Sequence, residues 1–155
     1  MIPPVDDIDR IMAVMERAFD PEFGEAWTRR QVEDALLLGN CYYELIDAHG
    51  HPPEVDVAAA GFSLSRHSLD EEELLLFAVD PAHRRKGLGL TMLFALSRAA
   101  KARGARRLLL EMRRGNPAES LYRAFGFKPI GERPNYYRMA GGMRIDAITF
   151  ACPIE

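Results

Sequence analysis

The sequence lacks the features that define several common classes of protein. It contains no run of about 18 apolar residues, so no membrane-spanning helix is predicted. The first residues, Met1 to Asp7, are acidic and lack the basic and apolar regions of a signal peptide. We therefore expect a cytoplasmic protein.

The chain also has no excess of basic residues. Its formal net charge is −3 and its isoelectric point is about 5.8, which argues against nucleic-acid binding through a broad basic surface. The two cysteines, Cys41 and Cys152, lie in apolar segments and are expected to be reduced core residues. The four histidines are scattered, and no spacing typical of a metal site occurs, so no metal is predicted.

The 155 residues, 48% of them hydrophobic, are enough for one domain with its own core, which we place at 1–155. Apolar periodicity and turn residues predict helices over 5–19, 28–38, 88–103 and 118–125. Strands are predicted over 41–47, 57–64, 72–79, 107–112, 127–132 and 143–153, the last two joined by a long loop. Interleaved helices and strands predict an α/β fold with helices on both faces of a central mixed sheet.

The most informative segment leads from an apolar strand ending at Val79 to a helix beginning at Leu88. The loop between them carries three basic side chains, Arg84, Arg85 and Lys86, and reaches the glycines Gly87 and Gly89. Unpaired backbone N–H groups at a helix N-terminus bind phosphates, and glycine allows close approach of a ligand to the main chain. This pattern predicts a pyrophosphate site on the N–H groups of residues 85–91, although a glycine-containing turn before an ordinary helix is the alternative.

Two segments resemble motifs of the GCN5-related N-acetyltransferase (GNAT) family. The run RRKGLG at 84–89 matches the family's acetyl-CoA loop, Q/R-x-x-G-x-G/A, and NPAESLYRAFGF at 116–127 is similar to a second family segment. A narrower resemblance, to the ribosomal-protein-alanine N-acetyltransferases, rests on LEMR at 110–113, Asn116, NYY at 135–137 and DAI at 146–148. The resemblance implies a single-domain GNAT fold with a mixed, mostly antiparallel sheet.

The same resemblance implies acetyl-CoA as the cofactor. The backbone at 77–79 would pair with the pantetheine arm as an added strand would, provided that the strand separates from its neighbour there. Asn116 would hydrogen-bond that arm, although a helix N-cap needs the same residue type. The implied cofactor-binding residues are Phe77, Ala78, Val79, Arg84, Arg85, Lys86, Gly87, Leu88, Gly89, Thr91, Asn116 and Tyr122.

Two residues are implied to be catalytic. Glu111 follows an apolar run in a strand expected near the sheet centre, where a partly desolvated carboxylate can accept a proton directly or through water. Pairing of Glu111 with Arg113 or Arg107 on the surface is the alternative. Tyr122 would donate a proton to the leaving thiolate, whereas its helical spacing alone indicates core packing.

The acceptor implied by the resemblance is the N-terminal alanine of a small-subunit ribosomal protein. The enzyme is expected to be a monomer, and the walls of its acceptor slot would be Trp27, Asn135, Tyr136 and Tyr137. An α-amine, with a pKa near 7.8, is about 10–15% neutral at pH 7, whereas a lysine is neutral in well under about 0.1% of molecules. A modest base such as Glu111 therefore suits an α-amine. The alternatives are a GNAT that acetylates a small-molecule amine and a non-catalytic acyl-CoA-binding module.

Overall fold

The computed structural model describes the backbone of residues 5–155 and their side chains from Asp7 onward. The N-terminal residues 1–4, part of the segment that argues against a signal peptide, lie outside the described residues. Within the described range, no helix is both long and apolar enough to cross a bilayer.

Helices and strands alternate along the described chain. The α-helices are α1 (Val5–Ala18), α2 (Arg29–Leu37), α3 (Leu88–Ala102) and α4 (Glu119–Phe125). The strands are β1 (Cys41–Ile46), β2 (Gly61–Ser68), β3 (Glu71–Val79), β4 (Arg107–Arg113), β5 (Lys128–Arg138) and β6 (Arg144–Pro153). They form one sheet in the order β1-β2-β3-β4-β6-β5, in which only the β3–β4 pair is parallel. The predicted mixed, mostly antiparallel sheet is confirmed.

Helices cover both faces of this sheet, as the interleaved pattern predicts. On one face, α1 and α2 pack on β1, β2 and β3 through Ile11, Val14, Met15, Val32, Leu36, Phe62, Leu64 and Leu76. On the other face, α3 and α4 pack on the sheet through Leu93, Leu96, Ala100, Leu108, Leu110, Tyr122, Phe127 and Phe150. Cys41 and Cys152 are buried in these two cores, one in each.

The start of α2 is formed by a capping box. The Thr28 hydroxyl accepts a hydrogen bond from the Gln31 N–H, and the Gln31 side chain accepts one from the Thr28 N–H. Two otherwise unpaired donors are thereby satisfied, so the helix begins at a fixed point. This cap leaves residues 19–27 as a connector between α1 and α2, with one 3₁₀ turn at Pro21–Phe23.

The strands β3 and β4 separate part-way along their length. Their parallel pairing begins at Glu71–Arg107 and ends at Leu74–Leu110. Residues 76–79 of β3 stay paired with β2 on their other side, while β4 continues along β6. A cleft therefore opens at the centre of the sheet, and the separation on which a pantetheine-binding edge depends is present.

A β-bulge in β3 lies where the two strands separate. Ser65 of β2 pairs with Leu74 and Leu64 pairs with Leu76, so Leu75 is an extra residue. An extra residue reverses which face of the sheet the following side chains occupy. Leu74 accordingly packs in the core beside α3, whereas Leu76 packs in the core beside α1.

Two predicted strand boundaries are wrong. The strand predicted at 57–64 begins only at Gly61, because a turn with Asp56 at φ 67° and a Val57 N–H bonded to the Glu54 carbonyl precedes it. The loop predicted at 133–143 is mostly strand. A wide bulge, in which Arg133 and Tyr137 face residues of β6 only two apart, allows β5 to continue to residue 138.

Candidate active site

The cleft between β3 and β4 contains a cavity of about 580 Å³, which we call the first cavity. Its walls are the end of β3, the loop before α3, the first turn of α3 and the start of α4. Ten of the sequence-predicted cofactor residues line it: Phe77, Ala78, Val79, Arg84, Arg85, Gly87, Leu88, Gly89, Asn116 and Tyr122. The structure thus brings most of the predicted set into one place.

The free edge of β3 presents backbone groups to this cavity. The Asp80 N–H donates to the Ala60 carbonyl at 2.7 Å, so Asp80 directs its backbone toward the β2 side. Alternate residues of a strand direct their N–H and C=O groups to opposite sides. Phe77 and Val79 therefore present theirs to the cleft, where an extended chain could pair with them as an added strand.

The loop before α3 forms a site for an anion. Within the described residues, the backbone N–H groups of residues 85–90 have no hydrogen-bond acceptor, and the Thr91 N–H donates to the Gly87 carbonyl at 3.1 Å. These free donors lie at the positive end of the α3 dipole, which favours a phosphate. Arg84 and Arg85 add positive charge to the same wall.

The two glycines of the loop are required for different reasons. Gly87 has φ 77°, a left-handed conformation that glycine adopts without a steric penalty. At Gly89, a Cβ atom would lie 2.8 Å from Cδ2 of Leu121 on α4. The absence of a side chain at Gly89 thus allows close packing of α3 on α4, and ligand approach alone does not explain it.

The base of the loop is held in place by a buried carboxylate. Asp80 accepts hydrogen bonds from the Ala82 N–H at 3.0 Å and from Nε of Arg17 on α1 at 2.5 Å. Despite an opposing effect of burial, the Ala82 and Arg17 donors lower the pKa of Asp80. Arg84 donates from Nε to the Val79 carbonyl at 3.3 Å, so its side chain is partly engaged in holding the loop.

A second cavity of about 290 Å³ continues along the cleft toward the α1–α2 connector. Four residues predicted for catalysis or acceptor binding line it: Trp27, Glu111, Tyr122 and Tyr137. Tyr122 and Asn116 line both cavities. The arrangement places a phenol where the two cavities meet and a carboxylate in the wall of the second cavity, which suits transfer between two ligands.

Glu111 projects from β4 on the side of the sheet that carries α1 and α2. Its carboxylate is 21% exposed and lies 3.6 Å from Nε of Arg133, an exposed residue of β5. The neighbouring arginines considered as surface partners are engaged elsewhere, Arg113 with Glu25 and Arg107 with Glu71. Glu111 is therefore available to a ligand in the second cavity.

Tyr122 packs in the core and also lines both cavities. Its ring is 7% exposed and packs edge-on against Phe77 and Phe127, at centroid distances of 5.9 and 5.8 Å. Burial, and to a smaller extent the charge of Glu25, raises the pKa of its hydroxyl above the ordinary value of 10. The hydroxyl is consequently protonated at neutral pH, as a proton donor must be.

Asn116 lies in the turn before α4, whose N-cap residue is Ala118, so it is not the helix cap that its residue type also suggested. Its Oδ1 accepts a hydrogen bond from the Ala118 N–H at 2.9 Å within this turn. The amide nitrogen is not used in this contact. The turn therefore leaves that nitrogen available for the predicted contact with a pantetheine arm.

Four predicted site residues lie outside the lining of both cavities. Lys86 is exposed beside the first cavity, and Thr91 uses both its N–H and its hydroxyl to bond the Gly87 carbonyl. Asn135, at φ 55°, donates its N–H to Asp146 on β6, and Tyr136 is half exposed. Of the predicted Asn-Tyr-Tyr wall, the structure places Tyr137 alone in the lining of the second cavity.

Residues that no motif indicated also line the site. Phe19 and Glu25, from the α1–α2 connector, line both cavities. The imidazole of His83 lines the first cavity as well, and its buried Nδ1 has no hydrogen-bond partner in the described structure. Connector residues carry no periodicity, so only their position after a helix stop at Asp20-Pro21 could have indicated them.

The sequence profile described as "Acetyltransferase (GNAT) family" matches residues 11–127. The chain belongs to this family. An *Escherichia coli* K12 relative named ribosomal protein bS18-alanine N-acetyltransferase is 42% identical over 97 residues, which are 62% of this chain and 65% of that protein. A *Bacillus subtilis* relative, provisionally named for the same activity, is 31% identical over 86% of this chain and 82% of its own length.

A solved structure supports the same relationship. The crystal structure of the ribosomal-protein-S18-alanine N-acetyltransferase from *Escherichia coli* superimposes with a TM-score of 0.78 at 28% identity, covering 100% of this chain and 92% of the other. The chain is accordingly an acetyl-CoA-dependent N-acetyltransferase with the GNAT fold.

The residues present fit this cofactor. Free N–H groups at 85–90 suit its diphosphate, and the exposed backbone of Phe77 and Val79 suits the amides of its pantetheine arm. Bound there, acetyl-CoA supplies an acetyl thioester.

Proposed function

We propose that this N-acetyltransferase acetylates the N-terminal α-amine of a protein, and that its acceptor is the N-terminal alanine of ribosomal protein bS18. The observation that carries the proposal is that Glu111 and Tyr122 both line the second cavity, while Tyr122 lines the first cavity as well. The activity for which the two relatives are named supports the choice of acceptor. Ribosomal proteins are synthesised in the cytoplasm, so the proposal places the enzyme there.

The acceptor amine must lose a proton before it attacks the thioester. Glu111 takes that proton, directly or through one water molecule, since its carboxylate lines the second cavity. Because an α-amine is already partly neutral at pH 7, a carboxylate is a sufficient base for it. A lysine side chain would require a stronger base.

The leaving thiolate must gain a proton, and Tyr122 is placed to donate it. Its hydroxyl is protonated at neutral pH, and burial raises its pKa further above the ordinary value of 10. Trp27 and Tyr137 provide apolar walls for the first residue of the acceptor. Burial, together with the charges of Glu111 and Glu25, raises the pKa of Tyr137 to about 12, so this wall also stays neutral.

An acetylation assay with purified components tests the proposal. A peptide that begins with the bS18 N-terminal sequence is compared with the same peptide beginning with proline and with small amines such as spermidine. The proposal predicts the highest kcat/KM for the alanine peptide. A higher kcat/KM for a small amine would replace it with the alternative acceptor class, and coenzyme A binding without turnover on any acceptor would indicate a non-catalytic module.

A further inference from the structure

A second carboxylate lies in the acceptor region of the cleft, on Glu25. It belongs to the α1–α2 connector, which the sequence motifs leave unassigned. Glu25 lines both the first and the second cavity, and its side chain is 23% exposed. A carboxylate between two cavities is costly to desolvate unless it has a partner.

One oxygen of Glu25 has such a partner. Its Oε1 lies 3.3 Å from Nε of Arg113 on β4, and Arg113 is only 12% exposed. The guanidinium carbon of Arg113 lies 3.5 Å from the centre of the Phe23 ring. The connector is thus fixed to β4, and the direction of the Glu25 side chain is fixed with it.

The other oxygen, Oε2, has no hydrogen-bond partner among residues 5–155. Glu25 and Glu111 both line the second cavity. Glu25 contributes to the raised pKa of both Tyr122 and Tyr137, and Glu111 contributes to that of Tyr137 as well. Two carboxylates therefore surround the space in which the acceptor amine must sit.

An amine acceptor reaches this space mostly as an ammonium ion, since about 85–90% of an α-amine is protonated at pH 7. Removing a proton from the ammonium group and binding that group as a cation are different tasks. Among the described residues, the cation next to Glu111 is the exposed Arg133, whereas Glu25 is oriented by the largely buried Arg113. An oriented acceptor of hydrogen bonds is suited to binding and positioning.

We propose that Oε2 of Glu25 binds the ammonium group of the acceptor and holds it next to Glu111. This inference rests on the proposed function for the identity of the acceptor, because the ammonium in question is that of a peptide N-terminus. Glu25 then determines affinity for the charged acceptor, and Glu111 determines the rate of the chemical step.

Calorimetric titration of the enzyme–coenzyme A complex tests this assignment. The ligands are an alanine-initiated bS18 peptide with a free amine and the same peptide with an acetylated amine, which carries no charge. We expect Glu25→Gln to weaken binding of the free-amine peptide by about tenfold or more, and to leave binding of the acetylated peptide unchanged. Glu25→Asp, which restores the charge, should recover part of the loss.

The control is Glu22→Gln, which alters an exposed carboxylate of the same connector that lines neither cavity. It should change neither titration. Equal weakening of both peptides by Glu25→Gln would overturn the proposal, because it would mean that Glu25 only shapes the slot through Arg113. Unchanged binding of both would overturn it too.

Failure of the proposed function gives a different result. In that case the wild-type enzyme would acetylate no peptide but would acetylate a small amine. The calorimetric titrations would then use that amine and its acetylated form as the two ligands, with the same Glu25 variants. The assignment of Glu25 is therefore decided separately from the identity of the acceptor.

Discussion

At the scale of single residues, Tyr122 joins the packing of the core to the chemistry of the cleft. Its ring contacts Phe77 of β3 and Phe127 in the core, and the residue lines both cavities. Packing fixes the ring, so the hydroxyl needs no hydrogen bond from the protein to keep its position. Structural and catalytic roles can therefore be separated by removing one oxygen atom.

Tyr122→Phe keeps the ring and removes the proton donor. We expect kcat to fall at least about tenfold, while the midpoint of thermal unfolding stays within about 2 °C. Because the pKa of the hydroxyl is raised above 10, wild-type kcat should show no loss from deprotonation of Tyr122 between pH 7 and 9. Steady-state kinetics and calorimetry measure these quantities, with Tyr136→Phe, outside both cavities, as the control. Unchanged kcat in Tyr122→Phe would show that another group protonates the thiolate.

Glu111→Gln removes the proposed base and keeps the shape of the side chain. We expect kcat to fall at least about tenfold and the KM for acetyl-CoA to stay within about twofold, because Glu111 lines only the second cavity. The matched control is Glu132→Gln on β5, whose carboxylate pairs with Arg114 at the surface. Full kcat in Glu111→Gln would indicate that the acceptor amine loses its proton directly to solvent and not to Glu111.

A functional residue can be predicted from the sequence where a motif contains it. It cannot be predicted where its role depends on a contact formed only in the folded protein. Glu111 and Tyr122 were predicted because they lie within segments that resemble family motifs. Glu25 was not, because its role depends on a contact with Arg113, 88 positions away. The different reasons for Gly87 and Gly89 also required coordinates, since only the packing of Leu121 distinguishes them.

At the scale of elements, the site depends on the end of β3, where the strand pairs with β2 and is free toward β4. Gly61 of β2 lies opposite Val79 in this ladder. A Cβ atom at Gly61 would lie 2.9 Å from the Ala78 carbonyl and 2.8 Å from Sδ of Met92. Backbone cannot move aside as a flexible side chain can, so β3 or α3 would have to shift.

Gly61→Ala should therefore affect both stability and cofactor binding. We expect a loss of about 1–3 kcal/mol in the free energy of unfolding and a several-fold rise in the KM for acetyl-CoA. The control is Gly131→Ala on β5, where a Cβ atom meets nothing within 4 Å and φ is not positive. Denaturant titration and kinetics measure the two effects. Equal stability of the two variants would show that β3 accommodates the methyl group.

The sequence predicted most elements because their apolar periodicity is local. It predicted β5 poorly, since nearly all of its side chains are exposed and periodicity gives little signal there. Pro134 and a left-handed Asn135 interrupt the ladder of β5, which made the segment resemble a loop. The bulge at Leu75 also left no pattern, because apolar residues occupy both faces around it.

At the scale of the whole molecule, a buried charge network ties the sheet to α3 at the end opposite the open cleft. Glu72 of β3 is fully buried, accepts a hydrogen bond from the Ser65 hydroxyl at 2.6 Å and pairs with Arg103 at the end of α3. His67 Nδ1 lies 3.0 Å from the same carboxylate. The network holds α3 against the sheet at the end where β3 and β4 are still paired. At the opposite end the two strands separate and form the site.

The charge of Glu72 makes stability depend on pH. Burial alone would raise its pKa, but hydrogen bonds from Arg103 and Ser65 outweigh burial and hold the pKa below the ordinary value of 4.5. Its contribution to the free energy of unfolding is therefore fully present above pH 4.5 and is lost as the pH falls through the lower folded value. Glu44, whose pKa is raised chiefly by burial, has the opposite dependence, so the total profile understates the effect of Glu72.

Comparison with Glu72→Gln isolates that contribution. At pH 7 we expect the variant to lose about 3 kcal/mol of unfolding free energy, because Arg103 is left partly buried without its counter-charge. The difference from wild type should shrink as the pH falls below 4.5, since Glu72 is then progressively protonated in the wild-type protein as well. Urea titrations at pH 7, 5 and 3.5 measure the difference.

Glu73→Gln provides the matched control, because Glu73 is the next residue of β3 and pairs with Arg66 at the surface. An exposed pair of this kind contributes at most about 1 kcal/mol, so this variant should follow the wild-type profile at every pH. A Glu72→Gln difference that stays constant from pH 7 to 3.5 would mean that shape, and not charge, gives Glu72 its effect. Since the network lies away from the cleft, the kcat of folded Glu72→Gln should remain that of the wild type even where its stability is lower.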